Sequence, residues 1–360
     1  KANLSPDALF GAGLRFSAET LEELSDPGKR SELAAILREG GLDPLTMNGF
    51  PYGPFHGERV KEQVYLPDWR AAERVAYTTA LADLLAEVNP KGALISLSTV
   101  PCSFRPNGGG AEAEMAANMI AAVAHMVELE RQTGRHVAIA VEPEPCCFLE
   151  TIEETVAYFR DYLFSAEAAS QLAKFSNVTP GAAAKLLPRH LGLCYDVCHA
   201  AVEYEDPAAS IAMLRDADIP VHKLQLSSAL RVASGTDAAR NALARFNEPT
   251  YLHQLIARDD NGALTRYSDL GEALAPGGVQ NGDEWRVHFH VPVFLETLPE
   301  FDTTQSFLRE ILAIHRKAPI SPHLEVETYT WDVLPDDLVA GSVEDAVTRE
   351  LEWVMVELTS

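Results

Sequence analysis

The stretch Val137-Ala138-Ile139-Ala140-Val141-Glu142-Pro143-Glu144-Pro145 decides how this chain folds. Five apolar residues in a row suit a strand covered on both faces, the state of a parallel sheet flanked by helices. The run then stops at two carboxylates set between prolines, which cannot continue a ladder. Working outward, the same design recurs. Residues 191–195 lead into Asp196 and His199, residues 286–294 carry His288 and His290, and residues 324–329 carry Glu325 and Glu327. Carboxylates and imidazoles at the ends of separate buried strands are the parts of a divalent-metal site at the mouth of a barrel.

The rest of the chain repeats the alternation. Strand-like runs occur at 10–17, 44–50, 93–100, 136–144, 190–196, 221–227, 286–294 and 323–329. Amphipathic stretches separate most of them: 18–39 (broken near Asp26-Pro27-Gly28), 68–88, 112–133, 151–164, 206–216, 303–317 and 343–358. Thr151 with Glu154 three residues on has capping-box spacing. Eight strands with helices between predict a (β/α)8 TIM barrel, one domain over 1–360. A doubly wound sheet is the rival, weakened because no G-x-G-x-x-G follows the first strand. Residues 232–285 break the rhythm. Asp259-Asp260-Asn261-Gly262 is a hairpin turn signal there, so this stretch is expected to stand as an insertion on the barrel rim.

Composition narrows the function. The 360 residues are 47% apolar and 23% charged, which suits a large folded domain. The formal net charge is −24, and the basic residues are scattered, so nucleic acid is a poor partner. Five cysteines without a C-x-x-C pair fit a reducing cytoplasm better than a disulfide framework. No apolar run is long enough to span a membrane and no leader pattern is legible.

Strand parity sorts the site residues, because residues i and i+2 share a face. Glu325 and Glu327 therefore point the same way, as do His288 and His290. The member nearer the strand end is expected at the mouth, the deeper one as its support. Glu142, Asp196 and Glu327 are the expected carboxylate ligands, with Gln225 or His290 as the fourth. Glu144 lies past the strand end, on the rim. Cys194 and Cys198 are expected to pack rather than bind a metal. The Gly-, Pro- and aromatic-rich stretch 48–57, which contains Asn48 and His56, suits a wall or lid over a polar ligand. Arg231 is a candidate clamp for a substrate oxygen.

With Glu142, the Asp196-x-x-His199 spacing and Glu327-Thr328-Tyr329 in place, the chain resembles the xylose-isomerase-like TIM barrels. These include sugar isomerases, ketose 3-epimerases and endonuclease IV. More narrowly it is similar to the EboE family of metabolite traffic proteins. The phrases 48–57, 59–62, 194–199, 223–228, 287–294 and 324–331 carry that likeness. The resemblance implies a Glu, Asp, His, Glu metal shell holding Mn²⁺, Zn²⁺ or Mg²⁺. Glu142 and Glu327 would be the acid–base pair of an enediolate proton transfer, and His199 and Arg231 would contact substrate oxygens. Gln225 stands where the epimerases commonly have His, so Gln225 or His290 completes the shell. The resemblance also implies a strand ahead of Lys1, which would leave one of the eight runs outside the barrel.

The expected activity is a metal-dependent isomerase or epimerase of a small polyhydroxylated molecule, in a cytoplasmic protein that is a candidate homo-oligomer. The rivals are a non-catalytic carrier on the same barrel and an endonuclease IV-like phosphodiesterase. The net charge opposes the second.

Overall fold

The first six strands join in parallel in chain order, five successive pairs, because a helical crossover returns the chain to the same sheet edge. They are β1 (Phe10–Leu14), β2 (Leu42–Asn48), β3 (Ile95–Thr99), β4 (Val137–Val141), β5 (Leu191–Asp196) and β6 (Val221–Leu226). The chain then makes a long excursion through β7 (Ala229–Val232), β8 (Leu255–Arg258), β9 (Leu264–Tyr267), β10 (Glu284–His290) and β11 (Asp302–Thr303). It rejoins the barrel at β12 (Leu324–Val326), parallel to β6. The computed structural model describes residues 1–54, 60–89, 94–335 and 341–360.

The result is a nearly closed β/α barrel of seven strands in the order β1-β2-β3-β4-β5-β6-β12. Helices Ala72–Val88, Glu112–Thr133, Pro207–Asp216 and Gln305–Lys317 are among those flanking it. No ladder joins β1 to β12 among the described residues. Side chains bridge that seam instead. Glu325 accepts from the Thr46 hydroxyl, and Asn48 Nδ2 donates to Glu327 Oε1 at 3.1 Å. A Cβ on Gly13 would lie 2.6 Å from the Glu325 carboxylate, so only glycine lets β1 come this close.

Parity divides the strands in two. Ile95, Leu97, Val137, Ile139, Val141, Leu193, Leu224 and Leu226 face the helices and belong to the main apolar core. The alternate residues, Ser96, Ser98, Ala138, Ala140, Gly192 and Cys194, fill the barrel interior, where space is tight. Lys223 and Glu325 lie there too, paired at 3.2 Å. Burial alone would lower the Lys223 ammonium, but the surrounding carboxylates, Glu325 first, hold it above its ordinary value.

Two expectations are corrected. The sequence pattern predicts eight barrel strands, but the run at 286–294 supplies β10 of a second, antiparallel sheet in the order β11-β7-β10-β8-β9. A long apolar run is equally at home there, because Trp285, Val287 and Phe289 bury in a separate core with Leu230, Leu255 and Phe246. This sheet begins at Ala229 and ends at Thr303, beyond 232–285 on both sides. Residue 93, expected to open the third strand, lies outside the described residues. The pattern also leaves 165–189 unassigned and opens a strand at 190, yet two helices form there, Ala166–Ser176 and Pro180–His190. The Ser165 and Thr179 side chains cap them. The expected capping box at Thr151 is present.

Candidate active site

The inward parity that fills the barrel with small residues ends, at its C-terminal mouth, in Glu142 after β4, Asp196 on β5, Gln225 on β6 and Glu327 after β12. Glu142, Asp196 and Gln225 are buried and Glu327 is half-buried. Gln225 sits at the centre of the four, fully buried. Its Nε2 donates to Glu142 Oε1 at 2.8 Å, to Asp196 Oδ2 at 2.9 Å, and also meets Glu327 Oε2. An amide nitrogen has two hydrogens, so three acceptors exceed its capacity. Its Oε1 accepts from the Cys194 thiol at 2.9 Å.

Crowding three carboxylates in a dry site sets their proton affinities apart. Burial, opposed by His199 and reinforced by Asp196, pushes Glu142 up to about 7. Burial, then Glu142 and Asp196, hold Glu327 well above the usual carboxylate range. Burial would raise Asp196 as well. The His199 and His290 rings, the His199 N–H and the Ser227 hydroxyl outweigh it and leave Asp196 below its ordinary value. Of the three, Asp196 is the one held anionic, and Glu142 is the one poised to exchange a proton near neutrality.

The second sheet roofs this cluster. His290, at the end of β10, lies within 4.8 Å of ligand atoms of Asp196 and His199. His199, in the first turn after β5, has a ring centroid 4.5 Å from that of His288. Glu144 is buried, not on a wet rim. Its Oε1 accepts from Tyr65 Oη at 2.7 Å and from Gln254 Nε2 at 3.2 Å. Asn48 joins Glu327 and lines the same cavity. That cavity encloses about 530 Å³ including its open mouth. Its floor is Glu142, Glu144, His199 and Glu327, and its walls include Phe50, Tyr65, Tyr251 and Tyr329.

Arg231 is not brought to the cavity. On β7 the neighbouring Leu230 and Val232 bury in the second core, so Arg231 points to the other face. There it pairs with Glu284 at 3.0 Å and Asp302 at 3.6 Å. His56 and residues 55–57 of the expected lid lie outside the described residues, while Asn48, Phe50 and Pro51 of that stretch do line the cavity. Sequence reasoning missed Tyr65, Gln254 and Tyr251. Gln254 precedes an apolar strand and resembled a hairpin arm, and no local pattern marks Tyr65 or Tyr251.

The carboxylate cluster fits a divalent cation. Glu142, Asp196 and Glu327 each offer an oxygen, all within 4.8 Å of one another, and Glu142 Oε2 is buried with no hydrogen-bond partner. Hard cations take such oxygen sets.

The chain is similar to a D-tagatose 3-epimerase-like protein at 12% identity and a TM-score of 0.49, covering 100% of this chain and 93% of that one. It is also similar to the IOLI protein with a zinc atom (12%, 0.45, covering 97% and 88%). A third is a xylose isomerase-like TIM barrel protein from Mycobacterium smegmatis in complex with magnesium (11%, 0.42, covering 93% and 79%). No protein-family model and no curated protein matches the chain. No helix among the described residues is long and apolar enough to cross a membrane.

Proposed function

We propose that the chain is a divalent-cation-dependent isomerase or epimerase of a small polyhydroxylated molecule, a sugar or cyclitol. The observation that carries it is three carboxylates from three strands around one amide, Glu142 and Asp196 buried and Glu327 half-buried, with the proton affinities of Glu142 and Glu327 raised. A general base and acid work best when their proton affinity lies near the working pH. Glu142 meets that condition, and Glu327 beside it is raised in the same direction, so the ionised one of the pair would remove a proton from carbon and the protonated one return it. Glu142, Asp196 and Glu327, with the Gln225 amide oxygen or His290, would hold the cation. When bound, it would polarise a substrate carbonyl and acidify the adjacent C–H. Asn48 orients Glu327, and the aromatic wall excludes water.

The test is solvent-deuterium incorporation into free ketoses and inososes with Mn²⁺, followed by NMR. Glu327→Gln abolishes it while the circular dichroism spectrum stays unchanged. Wild-type exchange in that variant refutes the assignment. A carrier on the same barrel would bind these compounds and exchange nothing. The narrower likeness to EboE-type proteins adds a place in the traffic of secondary metabolites but no reaction. A cytoplasmic location and self-association belong to the same proposal.

A further inference from the structure

The face of the second sheet that turns away from its own apolar core carries three arginines at neighbouring positions. Arg231 on β7 and Arg286 on β10 stand directly opposite each other, and Arg258 on β8 stands opposite Glu284. Residues paired across strands share a face, and like charges placed so repel. One carboxylate serves all three arginines. Glu284 accepts from Arg231 Nε at 3.0 Å, from Arg258 Nη2 at 3.0 Å and from Arg286 Nε at 2.8 Å. Asp302 adds a longer contact to Arg231, at 3.6 Å. Three positive charges thus face two negative ones, in a chain whose net charge is −24.

Two of the guanidiniums rest on one ring. Arg258 Cζ and Arg286 Cζ lie 4.5 Å and 4.0 Å from the centroid of Tyr204. Tyr204 Oη is itself fixed, donating to the Glu284 carbonyl at 2.9 Å. Its backbone φ is +58°, a region that residues other than glycine rarely enter. A planar fork held in this way loses little freedom when it takes up a carboxylate or a phosphate. The Arg231 and Arg258 side chains are 34% and 40% exposed, so both reach solvent.

The arginines line an open cleft of about 1000 Å³, its mouth included. The rest of its lining is acidic where it is charged. Glu205 and Asp206 stand at the entry to helix Pro207–Asp216, and Glu310 on helix Gln305–Lys317. Glu205 spends one oxygen on the Ile152 N–H and Asp206 one on the Ala209 N–H, both at 2.8 Å. Among the described residues no ion pair joins these three carboxylates to the arginines, whose partners are Glu284 and Asp302. Opposite charges that line one cleft without touching are complementary to a molecule that carries both. Guanidinium forks match an oxyanion, and carboxylates match an ammonium.

We propose that this cleft binds a small zwitterion, an oxyanion joined by a short chain to an ammonium group. The oxyanion sits on Arg231 and Arg258, and the ammonium on Asp206 and Glu310. A carboxylate end makes the ligand an amino acid, and a phosphate end makes it an aminoalkyl phosphate. The cleft shares no described lining residue with the active-site cavity, and its ligand takes no part in the isomerase reaction.

The experiment is isothermal titration calorimetry of the full chain at low salt. The probes are 4-aminobutyrate and phosphoethanolamine, with butyrate, inorganic phosphate and ethylamine as the separate halves. At least one zwitterion is expected to bind about tenfold or more tightly than either of its halves, and the better of the two identifies the anionic group. Glu310→Gln should weaken the zwitterion and leave inorganic phosphate unaffected or strengthened. Arg258→Gln should weaken both, and Glu327→Gln should change neither. No binding of either zwitterion, or a half that binds as tightly as the whole, overturns the proposal, and these comparisons need no variant to fold. Full zwitterion affinity in a folded Arg258→Gln variant overturns it as well. Zwitterion binding without deuterium exchange would sink the isomerase proposal and leave this one standing, and exchange without zwitterion binding would do the reverse.

Discussion

Replacing Gln225 by Met keeps the length and volume of the side chain and removes its donors. The three carboxylates then face one another without the amide that links them. A hydrogen bond to a charged acceptor contributes about 1.5–3 kcal/mol, and an amide nitrogen makes two at a time, so the ceiling is about 3–6 kcal/mol. Glu142 and Glu327 take up protons readily and can bond to each other, which places the expected loss near about 3 kcal/mol. With 360 residues and about 2.1 cal/mol/K of unfolding entropy per residue, the melting temperature falls by about 4 °C. The assay is thermal unfolding by circular dichroism, first in chelator and then with Mn²⁺. A cation at a hundred times its Kd adds about 2.7 kcal/mol, so the wild type should gain about 3–4 °C. The variant in chelator melting within about 1 °C of the wild type would refute the claim that the amide is what makes the empty cluster tolerable.

The other predictions concern groups away from the cluster. Burial raises Glu350 to about 7, against bonds from Thr328 and the Val293 N–H. The folded chain therefore binds the extra proton between the unfolded and folded values, and its contribution is present below about 4.5 and lost as pH rises through 7. Glu350→Gln should flatten the fall in urea stability between about pH 5 and 8, and an unchanged slope contradicts it. At the other end of the barrel, burial lowers His190 to about 4, His222 to about 3 and His323 to about 4. The unfolded chain takes protons first, so stability is full above about 6.5 and falls by about 1.4 kcal/mol per pH unit per ring below it. Urea titrations at pH 6.5 and 5 measure this, and equal midpoints exclude it. Lys223→Met strands Glu325 in the barrel interior and should cost about 3–5 kcal/mol, most of it restored by adding Glu325→Gln. Additive losses in that double-mutant cycle would contradict the pairing.

The barrel was legible because its strands are short, apolar and separated by helices with clear caps, as at Thr151. Residues on one face follow from parity alone, which is why Glu142, Asp196, Gln225 and Glu327 meet where their spacing says. What a run of apolar residues does not contain is its partner. Residues 286–294 read as a barrel stave, and only the pairing of β10 with β7 and β8 places them in the second sheet. The same blindness misplaced Arg231. Its number in the chain puts it near Gln225, but the opposite face of β7 carries it to Glu284. Tyr65 and Gln254 reach Glu144 across long sequence separations, and no local pattern encodes such contacts.

The seam between β1 and β12 has a mechanical consequence. The last stave follows the whole second sheet in the chain and is held by side chains: Thr46 on Glu325, Asn48 on Glu327, and Lys223 beneath. The pairing of β12 with β6 across that excursion is a non-local contact, the kind that slows folding. The carboxylate that would move a proton is thus also the latch of the barrel. A cation held by Glu327, Glu142 and Asp196 would act as a clasp, tying the end of β12 to β4 and β5 at the barrel mouth and so steadying the stave that borders the seam. Amide exchange in 324–326 should slow when the clasp is shut, so the opening rate of a single stave would report whether the site is loaded.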